Sequence, residues 1–563
     1  MTSSTAPALS CAAPEHEQRL LAELSKDTPA SFGAMFLGRA TRTPAAVAYR
    51  SPGTGSEWIA HTWGEAAAAV REIAAGLIAH GLRPEQRVAI AAATSVTWIE
   101  ADFGVMCAGG ATTTVYPSSA PAEVEHILTD SGSRFAFAED AAQRDKVAPY
   151  VEQVFLFTEL DELRARGRAA LDEDPELVDR TTAAVGPDHL ATLIYTSGTT
   201  GLPKGVRINH SAWVYQGLAI EAMGIVRPDD VGYLWLPLSH AFGKALLSCQ
   251  ISIGFEFAVD GDTTRIVDRL AEVRPTIMPA VPRIFEKVYA GVHAQVGGGL
   301  KGRLFALAVK AGHTNPLADV LLAKVRARFG GRMRYFISGA SALDPGIAAW
   351  FGALGLPIAE GYGLTESCAT TVFNRPDAPE YGTVGRPLPG TDVRIADDGE
   401  VLLRGPGMMS GYHGLESILV DGWLPTGDIG EITARGSLKI TDRKKDLIKT
   451  STGKYVAPSA IEAKLKALCP AVGQVLVHGD RRKFVSALID LDETVTRTPE
   501  VEAEIARCVK ELNTGLNPWE TIKKYVIVDE HFDVESGLLT PSMKLRRRAA
   551  EERYQSQLNA LYA

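Results

Sequence analysis

Cysteine is scarce in this chain of 563 residues: six, at positions 11, 107, 249, 368, 469 and 508. No two stand at the spacing of a metal knuckle, and a scattered set in so long a chain predicts reduced thiols in a cytoplasm. Excess positive charge is also missing. The net charge is −9, which argues against a general nucleic-acid binder, so the basic cluster at 543–548 needs a local explanation. Long apolar runs are absent too. The most apolar region, around 88–116, is broken by Glu100, Asp102 and a Gly pair, so no membrane-spanning helix is expected. Residues Met1 to Glu17 lack the basic and apolar stretches of a secretory signal. What is left is an ordinary globular composition, 46% hydrophobic and 22% charged, long enough for more than one domain.

Residues 195–206 read Tyr-Thr-Ser-Gly-Thr-Thr-Gly-Leu-Pro-Lys-Gly-Val. A short apolar run at 192–195 predicts a buried strand leading into them. Gly198, Gly201 and Gly205 let the backbone turn tightly, and Thr196, Ser197, Thr199 and Thr200 add hydroxyl donors. Lys204 adds a positive charge. Together they suit a polyphosphate, although a Ser/Thr/Gly stretch can also be a plain polar loop. The stretch is not a Walker A loop, because Lys204 lies between Pro203 and Gly205 rather than before Ser or Thr.

Upstream, Thr62-Trp63-Gly64-Glu65 matches a capping box that opens an Ala-rich helix ending near Gly81. A strand at 88–93, a helix near 96–108, a strand near 112–116 and a helix near 121–131 are expected. That alternation predicts a parallel α/β sheet. Residues 141–185 carry no readable pattern. Downstream, 213–222 reads as helix and 399–442 as short antiparallel strands. His240 closes the apolar stretch 233–242, where a lone His is often a satisfied core residue.

Residues 360–366 read Glu-Gly-Tyr-Gly-Leu-Thr-Glu. Tyr362 offers a ring for a purine, with Gly361 and Gly363 permitting close approach. Thr365 offers a hydroxyl to a phosphate, and Glu366 a hard carboxylate to Mg²⁺. A Gly-rich turn between strand and helix would contain similar residues. Asp428 can accept two ribose hydroxyls and Arg443 can donate to the ribose. Arg443-Lys444-Lys445 would otherwise be a solvated turn, and Lys544 to Arg548 a solvated basic run.

Taken together these stretches resemble the adenylate-forming superfamily of acyl-CoA synthetases, peptide-synthetase adenylation domains and luciferases. The resemblance covers about residues 30 to 553. Val-Pro-Arg-Ile-Phe-Glu-Lys at 281–287 and Leu-Thr-Pro-Ser-Met-Lys at 539–544 are similar to the long-chain acyl-CoA synthetase branch. The implied fold is α/β: a large N-terminal domain, residues 1–442, of α/β sheets with a β-rich subdomain, and a small mobile α+β domain, 443–563. The resemblance puts Gly339 against adenine, Ile440 beside the nucleotide, His240 at the carboxylate site, the hinge at Lys445 and the catalytic lysine at Lys544. It aims the loop carrying Ser451, Thr452, Gly453 and Lys454 at the pantetheine arm of coenzyme A.

The implied activity is ATP- and Mg²⁺-dependent activation of an apolar carboxylic acid as acyl-AMP, then transfer to coenzyme A. An acyl-AMP ligase that loads a carrier protein, an enzyme competent only in thioester formation and a catalytically dead binding protein are the alternatives. Gly243-Lys244 departs from the long-chain pattern, and the helical stretch 291–330 is short. With Trp213, Tyr215, Trp235 and Phe242 expected to narrow the bore, and Gly243 and Ala340-Ser341-Ala342 to open space beside it, the sequence predicts a compact or branched acid. A common fatty acid is the runner-up.

Overall fold

The computed structural model describes residues 10–196, 202–297, 299–540 and 543–563. Two large sheets carry the α/β alternation. One has seven strands. Ala111–Val115, Arg87–Ala91, Phe135–Ala138 and Gln153–Leu156 run parallel, as do Ala111–Val115 and Leu190–Thr196. Lys204–Asn209 turns back antiparallel on Leu190–Thr196, with Thr196 opposite Lys204. The other sheet has nine strands, parallel through its middle, from Val47–Pro52 to Ile358–Tyr362. A third, antiparallel sheet contains Glu400–Arg404, Leu424–Ile432 and Leu438–Arg443. The expected α/β class with a β-rich portion is what forms.

Local chemistry explains the element ends. The Thr62 hydroxyl accepts from Glu65 N at 3.2 Å, and Glu65 Oε2 accepts from Thr62 N at 2.8 Å. This is the reciprocal capping the sequence announces, and it satisfies two otherwise orphaned donors. The helix it opens, Trp63–Ala79, stops before Gly81, whose φ is +82°. Region 141–185, unread from sequence, contains the helices Ala141–Val147, Leu160–Glu173 and Leu177–Ala183. Leu160–Glu173 is charged on most faces, so its apolar stripe is too narrow to read.

A large hydrophobic cluster runs from Cys11 to Leu438 and a separate one from Ile448 to Ile527. The second lies on a three-stranded sheet of Val472–His478, Val485–Leu491 and Ile522–Ile527. All six cysteines are buried thiols. Among the described residues no helix is long and apolar enough to cross a membrane.

The helices Trp63–Ala79 and Leu160–Glu173 meet backbone to backbone. A Cβ on Gly167 would stand 1.8 Å from Glu72 O, and one on Gly76 2.4 Å from Leu163 O. Gly167→Ala is therefore expected to cost about 1–3 kcal/mol through overpacking, read as a lower Tm. Gly291→Ala, where nothing lies within 4 Å, should leave Tm unchanged or raise it. Equal Tm values for the two variants would contradict this packing.

Candidate active site

The phosphate-loop candidate closes the Leu190–Thr196/Lys204–Asn209 hairpin. Ser197, Gly198, Thr199, Thr200 and Gly201 lie outside the described residues. Both stems are pinned by the helix Pro121–Ser131. Tyr195 Oη donates to Asp130 Oδ2 at 2.6 Å, and His126 Nε2 donates to the carbonyl of Pro203 at 2.8 Å. Lys204 Nζ lies 5.3 Å from the ring centre of Tyr412, within cation–π range.

Tyr412 also donates to Glu366 Oε1 at 2.8 Å. It therefore joins the loop stem to the Glu366 carboxylate, and sequence reasoning missed it. The contact spans 46 positions and has no local signature. Glu366 fits a Mg²⁺ ion: its donor is a hard oxygen, and Tyr412 engages only one of its two. Among the described residues no cluster of three His, Cys, Asp or Glu side chains could hold a metal alone.

Tyr362 and Arg443 meet at Asp428. Tyr362 Oη donates to Asp428 Oδ2 at 2.6 Å and Arg443 Nε to Oδ1 at 2.8 Å. Burial raises the Asp428 pKa, and the Arg443 charge opposes that rise. Tyr362 is pushed well above its ordinary value, first by burial and then by the Asp428 charge. Each carboxylate oxygen keeps lone-pair capacity for a further donor.

The motif glycines have reasons within the protein. A Cβ on Gly363 would meet Ala369 O at 1.8 Å, one on Gly361 the Phe373 ring at 3.0 Å, and one on Gly339 the Phe242 ring at 3.2 Å. Gly363 is thus demanded by the turn that follows, where Cys368 and Ala369 hold φ of +56° and +73°. Thr365 and Glu366 form its short 3₁₀ turn.

His240 caps the helix Ala241–Ile253. Its Nδ1 accepts from Phe242 N at 3.1 Å, so Nε2 carries the proton and is a donor. Burial, and then the charge of Lys544, push its pKa down to about 3, so the imidazole is neutral near pH 7. Lys544 is held by Thr540, whose hydroxyl accepts from Lys544 N at 3.0 Å. Its side chain keeps contact with solvent, yet its ammonium sits in a crowded cleft. Burial lowers its pKa, as does Arg443, while Glu366 and Asp428 pull it back up. Lys544, on the small C-terminal portion, is thus within electrostatic reach of His240 on one side and of Arg443, Glu366 and Asp428 on the other.

Lys445 lies near the same charges. Its pKa is lowered by burial and then by Arg443, with Asp446, Asp428 and Glu366 opposing. Ile440 is half-buried on the strand Leu438–Arg443. Ser451, Thr452, Gly453 and Lys454 form an exposed turn, with Ser451 N bonded to Arg482 O at 2.9 Å. The structure does not gather this turn with the nucleotide-side residues.

An apolar cavity opens beside the cleft. One helix face lines it with Phe242, Ala245, Leu246 and Cys249, and Ile220, Met223, Val226, Ile337 and Phe373 complete most of the wall. The sequence expectations about this space need correction. Trp213 is a core ring that donates to Thr192 Oγ1 at 3.1 Å. Tyr215 donates to Pro389 O at 2.8 Å, and Trp235 to Pro279 O at 2.9 Å. Of the four aromatics, Phe242 alone is on the cavity wall. Gly243 opens no space, because a Cβ there would stand 2.5 Å from Pro237 O. Ala340, Ser341 and Ala342 are exposed. Lys244 is fully buried and paired with Asp102 at 2.8 Å, between the rings of Trp98 and Trp213. It is a core ion pair rather than an acyl contact.

Glu360 was also overlooked. It follows Ile358 and Ala359 inside the sheet, and all three are buried. Burial pushes its carboxyl up to about 7, against the backbone N–H groups of Leu343 and Gly382. An acid in an otherwise buried strand was the available signal.

Two large α/β sheets, a β-rich portion and a small C-terminal portion carrying Lys544 make up an enzyme of the adenylate-forming fold. Residues 36–413 match the AMP-binding enzyme family and residues 445–563 the AMP-binding enzyme C-terminal domain, so this chain belongs to that family. It is similar to the long-chain-fatty-acid–CoA ligase FadD15 of Mycobacterium bovis, 33% identical over 561 residues, covering 90% of this chain and 92% of that one. The anthranilate CoA ligase AuaEII in complex with anthranoyl-AMP shares the fold, with a TM-score of 0.74 at 20% identity, covering 95% and 99% of the two chains. So does MenE of Bacillus subtilis in complex with ATP and magnesium ion, with a TM-score of 0.68 at 22% identity over 91% and 98%.

The Glu360 carboxyl generates a pH prediction. Its folded pKa stands above the ordinary value, so the folded state holds a proton that the unfolded state has released. Glu360 therefore destabilises the fold increasingly as pH rises from about 4.5 towards 7. The Tm of Glu360→Gln minus that of the parent should rise between pH 5 and pH 8. A difference independent of pH would contradict it.

Proposed function

We infer that this protein is an ATP-dependent acyl-CoA ligase that activates an apolar carboxylic acid as acyl-AMP and transfers the acyl group to coenzyme A. The geometry that supports this reading is Tyr362 and Arg443 joined at Asp428, Tyr412 bound to the Glu366 carboxylate, and His240 capping the helix that lines the apolar cavity, with Lys544 within electrostatic reach of Arg443, Glu366 and Asp428. The carboxylate of the acid attacks the α-phosphate of ATP, and pyrophosphate leaves. No protein nucleophile is needed. The neutral His240, donating from Nε2, holds one carboxylate oxygen while the other attacks. Lys544 offsets the negative charge that builds up at the reacting oxygens. Asp428 accepts from the ribose with Arg443 beside it, and Tyr362 flanks the purine. Mg²⁺ bound at Glu366 would neutralise the phosphates.

The thiol then attacks the acyl carbon and releases AMP. We place the domain boundary between Asp442 and Arg443, with Lys445 as the hinge about which residues 443–563 turn between the two steps. The turn at 451–454 then faces the pantetheine arm. With Gly243, Trp213, Tyr215 and Trp235 seen to be packing residues, the case for a compact acid keeps only Phe242 on the cavity wall and the short 291–330 stretch. The long-chain-fatty-acid–CoA ligase relative favours a fatty acid. ATP–pyrophosphate exchange with fatty acids of graded length and with ring acids tests the reading, followed by thioester detection with coenzyme A. Exchange without thioester formation on free coenzyme A would instead favour delivery to a carrier protein.

Lys544→Ala should slow exchange about a hundred- to thousandfold, roughly 3–4 kcal/mol for one charge-stabilising donor. Thioester formation from supplied acyl-AMP should survive. Because the Lys544 pKa is lowered, its ammonium is lost as pH rises through a value below the usual 10.5. The alkaline fall of the exchange rate should begin correspondingly early and vanish in the variant. Equal damage to both half-reactions would refute the assignment. Lys445→Pro should stiffen the hinge, leaving exchange largely intact and slowing acyl transfer; normal overall turnover would count against the hinge.

A further inference from the structure

The motif Val-Pro-Arg-Ile-Phe-Glu-Lys has no part in the chemistry above, yet it touches the small domain. It opens the helix Pro282–Val296, which places Arg283 in the first turn. A cation there lies at the positive end of the helix dipole, the unfavourable end. Something beyond helix formation must hold it. Glu286, one turn on and buried, lies 3.5 Å away and offsets part of the charge.

The other partner comes from the small domain. Arg283 Nη2 donates to Asp492 Oδ2 at 2.5 Å, with the carbonyl of Val472 at 3.5 Å. Val472 and Leu491 are opposite residues of paired strands, so one guanidinium engages the ends of both. Asp492 is oriented in advance, because its Oδ1 accepts from Thr494 Oγ1 at 2.7 Å and from Thr494 N at 3.2 Å. Lys287 adds a looser contact, 4.0 Å from Glu493. The Arg283 and Asp492 side chains are 29% and 11% exposed, buried enough that separating them leaves an unpaired charge in a poorly solvated place.

We propose that Arg283 is a positioning residue for acyl-AMP formation: it latches the small domain to the Pro282–Val296 helix in the orientation that brings Lys544 to the nucleotide cleft. The proposal rests on the two-step ligase reading. An interaction made in only one of two domain orientations shifts the balance between them by its differential strength. Removing the latch depletes the Lys544-in state without touching any reacting group. Acyl transfer, which needs the other orientation, is not slowed.

The test uses the full chain and two readouts. In the first, Arg283→Met should lower ATP–pyrophosphate exchange with palmitate by roughly 5- to 150-fold, the usual range of conformational coupling. Thioester formation from synthetic palmitoyl-AMP should be unchanged or faster. The charge exchange Arg283→Asp with Asp492→Arg should restore much of the exchange rate. Parallel loss of both half-reactions, an undiminished exchange rate or no rescue would overturn the latch.

The second readout needs no turnover. The six native cysteines are buried, so dyes on Leu317→Cys and Glu500→Cys, both exposed, report the domain orientation by energy transfer. Arg283→Met should shrink the population dominant in the parent. An unshifted distribution would overturn the latch even in an inactive protein. A parent chain inert towards every acid would count against the ligase reading alone.

Discussion

A carboxylate can attack ATP only if two anions are held together, and this constraint governs the molecule. The chain itself is acidic, with a net charge of −9, so positive charge has to be concentrated where the reaction runs. Arg443 supplies it from the end of a strand, paired with Asp428 at 2.8 Å. In the proposed reading Lys544 supplies more of it from the small domain, where desolvation of its ammonium and then the Arg443 charge lower its pKa. Asp428 and Glu366 offset part of the repulsion between the two cations. What repulsion is left, an incoming polyphosphate and carboxylate relieve.

His240 shows the complementary use of burial. A charged imidazole would add to the crowding of Arg443 and Lys544, but desolvation holds its pKa near 3. Its bond from Phe242 N then selects the tautomer that presents an N–H donor. Deeper in the same region Lys244 pairs with Asp102 at 2.8 Å, with Thr112 also donating to Asp102 Oδ1 at 2.6 Å. Both arrangements sit on the helix Ala241–Ile253, whose outer face lines the apolar cavity. One helix thus combines a capping donor, a buried anchor and a hydrophobic wall.

Features set by neighbours along the chain were legible in the sequence. The Thr62–Glu65 capping box and the strand–helix alternation through Pro121–Ser131 depend on contacts a few residues apart, as does Gly363 against Ala369. Features set by distant pairs were not. Tyr412 with Glu366, Lys244 with Asp102 and Arg283 with Asp492 are separated by 46, 142 and 209 positions, and no local pattern announces them. Gly243 misled for a related reason. A missing side chain suggests empty space, but here the carbonyl of Pro237 fills it. Small residues mark close approach of some partner, and a single sequence does not say whether that partner is ligand or backbone.

The central claim is that the acid attacks the α-phosphate directly, with charge compensation rather than a protein nucleophile. Turnover with a fatty acid carrying ¹⁸O in both carboxylate oxygens tests it. The account predicts one labelled oxygen in the released AMP, one retained in the thioester and none in pyrophosphate. Label in pyrophosphate or inorganic phosphate, or AMP free of label, would contradict it.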